Sequence, residues 1–188
     1  MTEPSHSVRN SLIDKERVFR LGSDALLWSE AGGEGRLPYD GVRDLRLIAY
    51  GSPAGETFQC TVRSRKHGKV KIRSHHYASL GLFENRTASY TPFIRELAAR
   101  VAAGSPNARF LAGSTALWFV WLIVGLLCVG VAVLLILSLF DGVPPAGAGL
   151  IAVVICLAAA PLIWRRVREG SAQTFDPAAP PPELIGGA

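Results

Sequence analysis

Ala116 to Phe140 is a run of 25 residues without a single formal charge. At 1.5 Å per residue a helix of that length extends about 37 Å, enough to cross a ~30 Å hydrocarbon layer with some tilt. Seventeen of its residues are Leu, Ile, Val or Phe. At roughly −0.3 to −0.6 kcal/mol each, they supply about 5–10 kcal/mol toward insertion. Hiding such a helix inside a soluble core needs more chain than the rest of the sequence offers.

A second apolar run, Ala146 to Trp164, spans 19 residues and is weaker, with eight Leu, Ile or Val and with Pro161 near its end. Its sum is about 2–5 kcal/mol on the same scale, so its insertion depends on the first run. Ala148, Ala152, Cys156 and Ala160 recur at every fourth position, and the first run offers Gly125, Cys128 and Ala132 on one face. Small residues so spaced let two helix backbones approach closely in lipid. Between the runs lie only Asp141 to Pro145, a turn with one Gly and two Pro. The reading is a two-helix transmembrane hairpin, 116–140 and 146–164 joined by 141–145. Arg109 precedes it, and Arg165, Arg166 and Arg168 follow it, whereas the turn holds a single acid. The excess of arginine puts both chain ends in the cytoplasm, with Trp118, Trp121 and Trp164 at that interface.

The remainder is basic. Residues 1–113 carry 17 Lys and Arg against 11 Asp and Glu, a net of +6. Residues 1–16 read as a flexible N-terminus. From Arg17 onward short strand signals follow one another. Val18–Leu21 and Ala25–Trp28 flank Gly22-Ser23-Asp24 as a hairpin. Arg36-Leu37 starts an edge piece that Pro38 stops, and Val42–Tyr50 is a further strand.

The clearest alternation runs from Glu56 to Ser74. Phe58, Cys60, Val62, Val70 and Ile72 share one face, and Arg63, Arg65, Lys69, Lys71 and Arg73 the other. A three-residue loop, Lys66 to Gly68, keeps both faces pure by pairing Arg65 with Lys69 and Arg63 with Lys71. Like charges placed directly across a ladder are mildly destabilising, and no acid lies within the hairpin. Either the long side chains splay into water or an anion completes the surface. Arg63, Arg65, Lys69, Lys71 and Arg73 are therefore the candidate ligand-binding residues, for an anionic lipid head group or an acidic protein partner. No aromatic residue interleaves them, which argues against nucleic-acid stacking.

Tyr90, Phe93, Ile94, Leu97 and Val101 fall at i, i+3, i+4, i+7 and i+11, one face of a helix with Thr91 as cap, Pro92 at its first position and Gly104 beyond its end. The soluble domain is thus 17–104, six or seven strands and a C-terminal helix, followed by a linker over 105–115. Leu21 through Trp28, Gly35 to Tyr39, Cys60-Thr61-Val62, Ile72 to Tyr77, Phe83 to Arg86 with Tyr90 and Phe93, Phe175-Asp176-Pro177 and Pro182-Glu183-Leu184 resemble bacterial pleckstrin-homology-like (PH-like) membrane proteins of proteobacteria. The resemblance implies an α+β fold, a bent antiparallel sheet capped by the helix, in a protein of the cell inner membrane. It also implies a domain that binds lipid head groups or peptides.

Motifs for chemistry are lacking. Gly147 to Ala152 mimics a dinucleotide fingerprint but lies inside an apolar run. His75 and His76 are adjacent and point to opposite faces if on a strand, with no Cys or carboxylate at ligand spacing. Three cysteines, Cys60, Cys128 and Cys156, give no disulfide framework. No enzyme, metal or cofactor is expected. The tail, 165–188, rich in proline toward its end, reads as a disordered end or as an extended short docking peptide. The expected function is a membrane-anchored cytoplasmic binding or adaptor module. The alternative is a structural subunit of a larger membrane complex, with a membrane-protein partner or a second copy held through the small-residue stripe.

Overall fold

The structure is a computed structural model and describes residues 4–52, 55–113, 115–140, 147–169 and 173–187. The chain divides into two compact units, Met1–Ala112 with Gln173–Ala188, and Gly113–Ala172. The class is α+β, with antiparallel sheets and one long apolar helix.

In the first unit, β1 (Ser5–Val8), β2 (Arg17–Leu21), β3 (Ala25–Glu30) and β4 (Gly33–Pro38) form an antiparallel meander. The expected Gly22 to Asp24 turn is present, and β4 is an edge strand ended by Pro38. Trp28 pairs with Gly35 across β3 and β4, and a Cβ at position 35 would overlap the indole. Glycine there lets the ring lie flat on the neighbouring strand.

A one-turn 3₁₀ helix, Tyr39–Gly41, leads to a second sheet of β5 (Val42–Ser52), β6 (Gly55–Ser64) and β7 (Gly68–Arg73). A β8 (His75–Ser79) and β9 (Leu82–Asn85) hairpin follows, then α1 (Thr87–Gly104). Among the described residues nine strands precede α1 rather than six or seven, because Ser5–Val8 pairs with β2 instead of staying loose and His75–Asn85 forms its own hairpin. His6 explains the first difference. It is buried, its Nε2–H donates to the Arg73 carbonyl at 2.8 Å, and its Nδ1 faces the Ser89 hydroxyl at 3.0 Å.

α1 begins a turn earlier than expected. The Thr87 N–H donates to Asn85 Oδ1 at 2.9 Å, so Asn85 supplies the capping oxygen and Pro92 falls inside the helix. Its buried face is Tyr90, Phe93, Ile94, Leu97, Ala98 and Val101. These join Phe19, Leu26, Leu45, Cys60, Val62 and Ile72 in one core.

The expected 105–115 linker and disordered tail are replaced by structure. Arg109–Ala112 is β10, parallel to β5, and Gln173–Thr174 is β11, antiparallel to β10. Beyond it Phe175 meets Phe110 edge-on at 5.7 Å. Pro182–Ile185 forms a single turn, α4, whose Ile185 side chain is 0% exposed. Burying that side chain contributes about 1.5–3 kcal/mol. Gly186 ends the turn at φ 72°, and a Cβ there would meet Thr87 and Phe58. The Thr91 hydroxyl, expected as a helix cap, instead donates to the Ile185 carbonyl at 2.6 Å.

The second unit is α2 (Thr115–Phe140) and α3 (Gly147–Glu169). Trp118–Ser138 is long and apolar enough to cross a membrane, whereas the apolar stretch of α3, Val154–Trp164, is shorter. The expected turn, Asp141 to Pro145, lies outside the described residues, as does the side chain of Ala148.

Candidate functional site

The basic hairpin forms, with its loop one residue earlier than expected. Ser64 pairs with Gly68, leaving Arg65, Lys66 and His67 as the turn. The two registers differ by two residues and keep the same faces, so alternation cannot separate them. Ser64 does: its Oγ accepts the N–H groups of Lys66 and His67, both at 3.3 Å, while Gly68 sits at φ 72°. Phe58, Cys60, Val62, Val70 and Ile72 point into the core.

The new register breaks up the expected ladder of like charges. Arg65 moves to the turn. Arg63 faces Lys69, Lys71 faces Thr61, and Arg73 faces Gln59. Arg73 is held internally, donating from Nε to Gln59 Oε1 at 3.0 Å and from Nη1 to the Asn10 carbonyl at 3.1 Å. The compensating acid comes from the next strand. Asp44 on β5 pairs with Arg63, is 1% exposed, accepts from Arg43 Nε at 3.0 Å and lies 3.7 Å from Arg63 Nε. Reading the hairpin alone misses it. The signal was the alternation of Asp44 and Arg46 in the preceding strand, useful only once β5 and β6 are paired.

Pairing across four strands gives two charged rows on one face. The first is Arg109, Asp44, Arg63 and Lys69; the second is Leu111, Arg46, Thr61 and Lys71. With Arg73, the face holds six basic residues and one acid. Arg46 Nε is buried without a hydrogen-bond partner. Lys69 and Lys71 are exposed and form no ion pair among the described residues. The middle strand is less wet than expected, since Thr57, Gln59 and Thr61 are buried. Long side chains on β5 and β7 flank them, and Gln59 donates to Thr61 Oγ1 at 3.3 Å.

Burial pushes the Cys60 thiol far above its ordinary range. It draws the His6 imidazole down to about 4, helped by the nearby Arg86 and His76 charges and opposed by the bond to the Arg73 carbonyl. His75 and His76 are buried and already engaged, His75 Nδ1 with Ser74 Oγ at 3.1 Å and His76 Nδ1 as acceptor of the Arg9 N–H at 3.2 Å. Among the described residues no three His, Cys, Asp or Glu cluster as metal ligands.

In the helical unit, Gly125, Cys128 and Ala132 lie on the sheltered side of α2, along with Trp121 and Leu135. These positions are spaced four, three, four and three apart, the pattern of shallow-angle helix packing. A Cβ on Gly125 would stand 3.3 Å from Ile163 Cγ2, and Cys128 and Cys156 lie near each other across the pair. On α3 the sheltered positions are Ala152, Cys156, Ala159 and Ile163, while Ala160 is exposed. Four residues turn a helix by about 400°, so an every-fourth stripe drifts about 40° per step and leaves the contact face. That drift is why Ala160 drops out.

No family model, curated protein or solved structure matches the chain. The PH-like resemblance therefore stands on the sequence motifs alone.

Proposed function

We propose that the chain is a membrane-anchored binding module whose β-rich unit lies on the cytoplasmic side of a bacterial inner membrane and contacts an anionic surface through its basic sheet face. The anchor is the α2–α3 pair as a two-span hairpin. Ala112 and Gln173, which flank that pair in sequence, are directly paired on β10 and β11, as suits a chain that leaves and re-enters on one side. In this reading the strands followed by α1 make up the PH-like part, and β10 with the docked tail are additions to it.

The observation that carries the reading is the excess of positive charge on this face: Arg46, Arg63, Lys69, Lys71, Arg73 and Arg109 against Asp44. An anion approaching Lys69 and Lys71 would meet exposed ammonium groups, and near an anionic leaflet each contributes about 1 kcal/mol. The ligand is an acidic lipid head group or an acidic segment of a protein. A subunit role through the small-residue stripe is less favoured, because Gly125 and Cys128 are already occupied by Ile163 and Cys156 of the same chain.

The test uses a shortened chain in which an Asn-Gly turn joins Ala112 directly to Gln173, a two-residue loop suited to antiparallel neighbours. It is floated with vesicles of phosphatidylcholine, with and without phosphatidylglycerol. Binding should require the anionic lipid and should vanish as the screening length falls from about 10 Å at 0.1 M salt to about 3 Å at 1 M. Lys69→Glu with Lys71→Glu should abolish it. Failure to float at low salt, with retained binding to polyglutamate, assigns the face to an acidic protein; failure of both removes the reading.

A further inference from the structure

Two loops far apart in sequence present bare aliphatic side chains from one end of the first unit. Ile13 is 93% exposed and Leu12 61%, in the loop between β1 and β2; Leu80 is 88% and Leu82 64%, at the β8–β9 turn. The loops lie at the same end because β1 and β8 run side by side in the same direction. His6 bonds to the Arg73 carbonyl, Arg9 receives the Tyr77 N–H at 2.8 Å, and both chains continue from there into the exposed turns. The first loop is built rather than slack. Arg9 folds into it, donating from Nε to the Asp14 carbonyl at 2.8 Å and from Nη2 to the Leu12 carbonyl at 2.6 Å, while its guanidinium rests 5.7 Å from the Tyr77 ring centre. Phe83 packs edge-on against the same ring at 5.5 Å. A supported loop that holds Leu12 and Ile13 outward gains no burial from doing so.

The strand directions point to what they meet. β5, β7 and β10 run the same way, so the chain leaves β10 at Ala112, and returns at Gln173, from the end toward which β7 leads into β8. Two residues separate Ala112 from the start of α2, the helix apolar enough to cross a membrane. We propose that Leu12, Ile13, Leu80 and Leu82 form an apolar rim that dips into the lipid leaflet beside the anchor, with Asp14, Lys15 and Glu84 left at head-group level. This rests on the membrane-anchored reading, though not on the basic face. Convex, separated aliphatic tips suit a fluid surface better than a shaped protein groove.

The full chain, with Cys128→Ala and Cys156→Ala, keeps only the buried and unreactive Cys60. Single cysteines placed by Ile13→Cys, Leu80→Cys, Leu127→Cys and Ser23→Cys then take a nitroxide label. Ser23 is exposed at the opposite end of the β1–β2 pair. The labelled protein is reconstituted in vesicles of phosphatidylethanolamine and phosphatidylglycerol. Labels at 13 and 80 should collide more with oxygen than with a water-soluble nickel chelate, as at 127, with the ratio reversed at 23. Nickel access at 13 and 80 with 127 shielded overturns the rim alone. Nickel access at 127 overturns the anchored reading and the rim with it. Spin–spin broadening at 13 or 80 means a second copy covers the tips and also overturns the rim. Positions 13, 23 and 80 are exposed and lie outside the core of the first unit, so loss of folding does not confound the result.

Discussion

Leucine behaves in opposite ways in the two units. Leu21, Leu26, Leu37, Leu45 and Leu97 have no exposed surface, whereas Leu126, Leu127, Leu134 and Leu157 are each more than 60% exposed. Around the first group the chain supplies its own apolar medium, from two sheets, α1 and the returning tail. Around the second it supplies a narrow sheltered stripe, mostly small residues with Trp121, Leu135 and Ile163, and most of the large side chains face away from it. One residue type can be stable in both arrangements only if the medium outside differs. On the proposed membrane-anchored reading, the first unit is built for water and the second for hydrocarbon, where packing of small residues replaces the hydrophobic effect as the source of helix association.

The largest effect that sharpens this contrast is expected at the tail. Ile185→Asp buries an unpaired carboxylate between α1 and the second sheet, and should cost more than about 4 kcal/mol. Denaturant unfolding followed by Trp28 fluorescence should show the first unit collapsing while the helicity of α2 persists. If the midpoint moves by less than the effect of an exposed substitution, the tail is not part of the core.

Next in size is the pH response of the first unit. The His6 imidazole falls from 6.5 to about 4 on folding, chiefly through burial. A depressed folded value means the unfolded chain binds the proton first, so the contribution is complete above pH 6.5 and declines as pH drops toward 4. At 1.36 kcal/mol per unit the loss approaches about 3 kcal/mol. His6→Gln should lower stability at neutral pH and flatten the slope between pH 6.5 and 4. An unchanged slope would place the titration elsewhere.

A smaller effect should be confined to the second unit. Gly125→Leu forces a side chain against Ile163 and should weaken the α2–α3 pair by about 1–3 kcal/mol. Cross-linking between Cys128 and Cys156 reports it, and should fall while unfolding of the first unit stays unchanged. Undiminished cross-linking would mean Gly125 is not at the contact.

Much of this contrast was legible in the sequence, and for a physical reason. A long uncharged run and an i, i+3, i+4 helix face are local patterns, so α2 and the buried side of α1 could be read directly. The Gly22 to Asp24 turn and the apolar face of β6 and β7 were equally local. What escaped reading depended on distant partners. Asp44 meets Arg63 only through the β5–β6 register. His6 pins β1 by bonds to Arg73 and Ser89, more than sixty positions away. Ile185 is buried, and Phe175 half-buried against Phe110, by contacts with residues distant in sequence. The tail did carry one local clue, Pro182 opening and Gly186 closing a helical turn, overshadowed by the prolines around it.

The most direct test of two units built for two media is the solution behaviour of the chain that joins Ala112 to Gln173 through Asn-Gly and omits residues 113–172. The expected result is a monomer in detergent-free buffer that unfolds in a single cooperative transition, since every buried residue of the first unit is retained. A chain that aggregates in that buffer, or loses its structure without a cooperative transition, would contradict it.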